Sequence, residues 1–177
     1  MRADYVFKQE FEHVLGALMP ENRLALEVSL ATGLRISDVL NLRTEKLGPR
    51  MTVRELKTGK TRRVYIPIEL LDRMRKVSGK IFVFEGRCDY RKPRSRQAVY
   101  KDLKRAAGAF RLGQKQVSPH SARKIFAVEE YHRTGDLKRI QKLLNHDSEA
   151  VTILYAMADT LVKRHRRAQP KNSISPE

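Results

Sequence analysis

The chain has 177 residues, with 37 Lys and Arg against 20 Asp and Glu, a formal net charge of +17, and 41% hydrophobic and 32% charged residues. That length suits one domain with its own core, and the composition excludes a disordered chain. A lone cysteine, Cys88, excludes an internal disulfide framework and a multi-cysteine zinc site, and no apolar run nears the roughly 18 residues that cross a bilayer.

The charge points to a polyanionic partner. Such an excess on 20.5 kDa repels itself until something acidic neutralises it. Nucleic acid is the leading choice; acidic proteins, lipid head groups or a merely solvated surface are the alternatives. The start, Met1-Arg2-Ala3-Asp4, leads into a charged amphipathic run and no signal h-region, so the expected location is cytoplasmic.

In chain order, Phe7, Phe11, Val14, Leu15 and Leu18 predict a first helix with Asp4 as N-cap, ended by Pro20. A second helix is predicted over Asn22 to Ala31, with Gly33 at its C-cap. A third starts near Ser37. The period then changes: 51–57 and 62–66 alternate around the turn Thr58-Gly59-Lys60, which predicts a hairpin that Pro67 closes. A helix over Ile68 to Val77, a short apolar run over Ile81 to Phe84 and a basic loop over Glu85 to Arg96 follow. Further helices are expected over Gln97 to Ala107, His120 to Arg133, Asp136 to Leu144, Ser148 to Ala156 and Asp159 to Ala168, before a disordered tail. No internal repeat is visible.

Four islands carry residues suited to phosphate chemistry. Ala31-Thr-Gly-Leu-Arg-Ile-Ser-Asp-Val-Leu-Asn-Leu42 sets Arg35 between a glycine-broken helix end and a new helix. Leu56-Lys-Thr-Gly-Lys60 puts Lys57 at a hairpin tip. His120-Ser-Ala-Arg123 puts both end residues on one helix face, where they could point at one ligand. Leu143-Leu-Asn-His146 is followed nine residues later by Tyr155. Each has a bland reading alone: a solvated arginine, a soluble turn, a chance His-x-x-Arg, a core tyrosine.

Taken in order, Arg35, Lys57, His120-x-x-Arg123, His146 and Tyr155 resemble the catalytic domain of the tyrosine recombinases, the phage integrase family. The wording of ATGLRISDVLNL, KTGKTRRVYIP, SPHSARKIFA and LNHDSEAVTILYA matches too, over Glu21 to Ala156. One departure is Asn145, where the family usually has glycine; Asn also tolerates a left-handed turn. The resemblance implies an α+β, mainly α fold with a small antiparallel sheet near residues 51–66. It also implies site-specific recombination of DNA through a covalent 3′-phosphotyrosyl intermediate. A relaxing enzyme of the topoisomerase IB kind, or an inactive DNA-binding regulator, is the alternative.

Breaking a phosphodiester without a metal needs other cations at the transition state. Arg35 and Arg123 would each fork onto non-bridging oxygens, as lysine cannot, and His146 would add a third donor. The resemblance makes Tyr155 the nucleophile. A phenol titrates near about 10, so it needs a base, for which His120 is the choice. Lys57 would protonate the departing 5′-oxygen; Lys60 is a rival on chemistry alone. Asp38, at the family's acidic supporting position, either pins Arg35 by an ion pair or caps the third helix. His13, His132 and His165 read as solvated, and Cys88 as incidental. Neither a metal nor another cofactor is expected.

Arg87, Arg91, Lys92, Arg94 and Arg96 in the basic loop, with Arg164, Arg166 and Arg167 near the end, are the expected DNA-backbone contacts, which position more than they specify. Residues 1–20 read as an N-terminal helix, a remnant of or linker to a core-binding domain; 21–168 as the catalytic domain; 169–177 as a flexible tail. The resemblance further implies double-stranded DNA as partner, a tetramer on DNA, no membrane, and a nucleoid-associated location.

Overall fold

The computed structural model describes residues 6–110 and 117–144 of the chain. Seven helices and a two-stranded sheet occupy them: α1 (Lys8–Gly16), α2 (Pro20–Thr32), α3 (Ile36–Leu40), β1 (Arg50–Arg54), β2 (Thr61–Tyr65), α4 (Ile68–Val77), α5 (Arg96–Ala109), α6 (Pro119–Thr134) and α7 (Leu137–Leu144). A 3₁₀ turn at Thr44–Lys46 precedes β1. This is the mainly helical fold with a small antiparallel sheet that the motifs imply. The expected helices over 148–156 and 159–168, and the tail, lie outside the described residues, as does the Asp4 cap.

α2 is the hub. Leu24, Ala25, Leu26 and Val28 are buried, together with the polar Asn22, Ser29 and Thr32. A helix apolar over so much of its surface must be covered by neighbours, and α6, α3 and α4 do this. Fully burying Leu26 contributes about 1.5–3 kcal/mol. Pro20 opens α2 as its first residue instead of ending α1 from within, because its missing N–H is one of the donors a helix start leaves unused. Gly33 ends α2 in the left-handed conformation, φ 66°. A second small cluster, Ala127, Ile140 and Leu144, joins α6 to α7 with Phe126 and Tyr131 packed on it.

The hairpin alternates as expected. Met51, Val53, Arg62 and Val64 face inward while Arg50, Thr52, Arg54, Thr61, Arg63 and Tyr65 face out. Its register pairs Arg50 with Tyr65 and Arg54 with Thr61. The first strand stops at Arg54, short of the expected Lys57. The Gly59 N–H bonds the Glu55 carbonyl at 2.9 Å and so closes a turn over 55–59 that takes Lys57 out of the ladder. The apolar run 81–84 forms only an isolated bridge, Phe82 to Arg43. Arg35, not Ser37, precedes α3, and no side chain caps that helix.

Asp102 of α5 holds the α1–α2 junction. Its carboxylate accepts from the Met19 N–H at 2.8 Å, Asn22 Nδ2 at 2.7 Å and Arg105 Nη2 at 2.7 Å. Burial alone would raise its pKa, but these donors and the Arg105 charge hold it below the usual carboxylate range.

Candidate active site

Arg123 sits on α6, one turn from its start, and is 5% exposed. Nη1 donates to the Gly33 carbonyl at 2.7 Å and Nη2 to the Leu144 carbonyl. Both acceptors lie at helix C-terminal ends, of α2 and α7, where the backbone dipoles favour a cation. Burial and then the Arg35 charge push its pKa down to about 10, so it is charged at neutral pH. The fork is thereby fixed, which a solvated arginine is not.

Gly33 makes the first of those bonds available. A Cβ there would stand 2.4 Å from Cδ1 of Phe126, one turn beyond Arg123 on the same helix. Without it α6 packs close enough to α2 for the guanidinium to reach the carbonyl.

Arg35 leaves the α2 end toward the same region. Its side chain is 11% exposed, and Nη1 donates to Glu55 Oε2 at 2.5 Å. Glu55 is wholly buried. Burial would raise its pKa, but the bonds from Arg35 and from Thr58 Oγ1, at 2.9 Å, hold it below the usual range. Asp38, read from sequence as either a partner of Arg35 or a cap of α3, accepts the Leu56 N–H at 2.9 Å instead. Burial, opposed by that bond, raises the Asp38 pKa. The acidic support thus comes from two residues: Asp38 holds the backbone before Lys57, and Glu55 holds the guanidinium.

Glu55 and Arg62 were not singled out from sequence. The signal was in the pleat. Residues 51, 53 and 55 share the inward side, and so do 62, 64 and 66, so each arm of the hairpin carries a charged group in an inward register, Glu55 just beyond the end of β1 and Arg62 within β2. Arg62 donates to the Thr32 carbonyl, and its pKa is lowered by burial against the opposing pull of Glu55 and Asp38.

His120 precedes Arg123 by three positions in the first turn of α6, which carries no acidic residue. The residue is exposed. Partial burial, then the charges of Arg123, Arg35, Lys124 and Arg96, lower its pKa below the usual imidazole value. The neutral form of the ring is therefore favoured, within the field of both arginines. Lys57 is exposed in the turn. His146 and Tyr155 lie outside the described residues, as do Arg164, Arg166 and Arg167.

The basic loop is not uniform. Arg87, Arg91 and Lys92 are exposed, with Lys92 3.7 Å from Asp89. Arg91 stands 5.6 Å from the Tyr90 ring centroid. Arg94 turns inward: its Nε donates to Asn22 Oδ1 at 2.5 Å, and its side chain is 13% exposed. Arg96 is exposed in the first turn of α5, against the helix dipole, and its charge reaches His120.

Comparison with known proteins agrees with this geometry. Residues 6–161 match the model of the phage integrase family. The chain is 31% identical over 134 residues to "Probable integrase/recombinase YoeC" of Bacillus subtilis, covering 72% of each chain. It is 32% identical to tyrosine recombinase XerA of Pyrococcus furiosus, over 76% of this chain and 49% of that one. It is 33% identical to tyrosine recombinase XerC of Pseudomonas aeruginosa, over 82% and 51%. The chain thus spans about half the length of these last two relatives. Among solved structures, XerA recombinase superposes with a TM-score of 0.70 at 24% identity, covering 97% of this chain and 67% of that one. The lambda integrase catalytic core does so at 0.70 and 22%, covering 82% and 92%. With two internally anchored arginines and a histidine within their positive field, and this match across most of its length, the chain belongs to the phage integrase family of tyrosine recombinases.

Proposed function

We propose that this chain cleaves and rejoins duplex DNA at specific sites through a 3′-phosphotyrosyl intermediate. The observation that carries the reading is the convergence of Arg35, Arg123 and His120 in one positive field, with both guanidinium groups fixed by internal partners. A scissile phosphate entering that field meets preorganised donors, which lower the barrier most where water is excluded. The start of α6 adds its dipole to the field.

In this reading Tyr155 Oη attacks phosphorus and loses its proton to His120. The P–O5′ bond breaks, and Lys57 protonates the departing oxygen. Arg35, Arg123 and His146 hold the non-bridging oxygens. Rejoining reverses the steps, with a DNA 5′-hydroxyl displacing the tyrosine. Arg87, Arg91, Lys92 and Arg96 would meet the backbone around the cut, with Arg164, Arg166 and Arg167 adding phosphate contacts. Four protomers would assemble on paired sites by exchanging the segment after Asp159. Solved relatives in this fold include a lambda integrase dimer bound to a core site and XerH bound to its palindromic substrate, which supports duplex DNA as the partner here.

The test is covalent trapping on a nicked duplex from which the 5′-hydroxyl fragment escapes. The expected product is a denaturant-stable adduct at Tyr155 carrying a 3′-phosphate, formed equally in EDTA. An adduct at Tyr65 or Tyr131, or cleavage that needs added magnesium, overturns the reading.

A further inference from the structure

Glu55 has no part in the steps above, yet it is the most deeply buried carboxylate among the described residues, at 0% exposure. Burying an ionised carboxylate is strongly unfavourable, and an apolar residue of like size commonly serves stability as well or better. Its position next to the reacting groups suggests why a charge is kept there.

We propose that Glu55 is a positioning residue that aligns the Arg35 guanidinium and fixes the turn carrying Lys57, so that both reach the phosphate as one unit. The inference rests on the recombinase reading. Glu55 Oε2 accepts from Arg35 Nη1 at 2.5 Å and from Thr58 Oγ1 at 2.9 Å. Its own N–H donates to the Lys60 carbonyl at 2.9 Å, and its carbonyl accepts the Gly59 N–H at 2.9 Å. The residue therefore closes the turn at both ends while its side chain grips Arg35. Lys57 lies between Leu56, held by Asp38, and Thr58, held by Glu55, with its own side chain exposed. The residues on either side are thus anchored while the lysine side chain stands exposed.

Arg62 completes the arrangement from behind. Its charge acts on Glu55 and Asp38, but its Nε and Nη1 make no hydrogen bond to either. It offsets their charge without competing for the oxygen that Arg35 uses. The Arg35 donors not bonded to Glu55 are then available to a ligand, in an orientation the carboxylate sets.

The test compares wild type and Glu55→Gln in single-turnover cleavage of the nicked duplex at saturating protein. The substitution keeps an acceptor but removes the charge that orders the guanidinium. The expected result is cleavage slowed about ten- to a hundredfold, with duplex affinity and circular dichroism unchanged. In an Arg35→Lys background, which lacks the fork, the same substitution should cost much less. Cleavage at or above the wild-type rate, a loss explained by weaker DNA binding, or an equal loss in both backgrounds each overturns the inference. A wild-type protein that forms no adduct overturns the recombinase reading instead. Should Glu55→Gln not fold, Thr58→Val carries the test: a several-fold loss confined to the Arg35 background supports the coupling, and a full rate overturns it.

Discussion

Arg123 and Gly33, 90 positions apart, meet through one hydrogen bond of 2.7 Å that ties the end of α2 to the first turns of α6. The bond exists because Gly33 lacks a side chain: its left-handed backbone points the carbonyl at the guanidinium, and the empty Cβ position admits the Phe126 ring.

Gly33→Ala should therefore damage both the fold and the chemistry. The left-handed backbone alone costs an L-residue about 1–2 kcal/mol, and the displaced Phe126 adds to this. The expected outcome is a Tm lower by several degrees, with residual cleavage reduced further than the folded fraction explains. Thermal unfolding and single-turnover cleavage on the same sample check this. A variant with wild-type Tm would show that neither the left-handed backbone nor the Phe126 contact constrains this position.

Lysine substitutions separate charge from geometry. Arg35→Lys and Arg123→Lys keep the cation but lose the fork, so cleavage should fall by about a hundredfold or more while DNA affinity changes little. Their stabilities should differ. Arg123→Lys gives up two geometrically fixed bonds to buried carbonyls, at about 1–3 kcal/mol for the acceptors left behind. Arg35→Lys keeps a cation beside Glu55 and should unfold closer to wild type. Lysine variants that cleave normally would assign both arginines to structure alone.

The helices around the site were legible because their period and caps are local properties of the chain. Gly33 and Gly135 end α2 and α6 as their positions suggest. The partner of Arg35 was not legible, since Asp38 is one turn away in sequence while Glu55 is brought in by the hairpin, 20 positions on. The inward turn of Arg94 was hidden for a similar reason. A basic loop looks solvated as a string, and only the fold reveals Asn22 waiting for one of its arginines. The inward register of Glu55 and Arg62 was visible, but it takes the core on that side of the sheet to make it meaningful.

The depressed pKa of His120 sets a pH dependence. If His120 is the base it must be neutral, so cleavage should be flat around neutrality and fall as pH drops through a value below about 6.5. The same shift affects stability. The unfolded chain takes up this proton first, so the contribution of neutral His120 is whole above the unfolded pKa and is lost as pH falls through the folded one. His120→Gln should lower the rate and remove that acid limb from the profile. A limb that survives the substitution would assign the titration to another group.

The basic loop should divide into two kinds of arginine. Arg87 and Arg91 are exposed, and if each neutralises a phosphate, its replacement by alanine should weaken duplex binding and flatten the log–log salt slope by about 0.9. Arg94 is spent inside, on the Asn22 amide that also feeds Asp102. Arg94→Ala strips that side chain of its donor and loosens the link between the loop and α2. It should lower Tm by a few degrees, for about 1–3 kcal/mol, and leave the salt slope of the folded protein unchanged. Binding isotherms at several salt concentrations, paired with thermal unfolding, distinguish the two. A flattened slope with unchanged Tm for Arg94→Ala would mean that this arginine swings out to the DNA and that its bond to Asn22 contributes nothing to the fold.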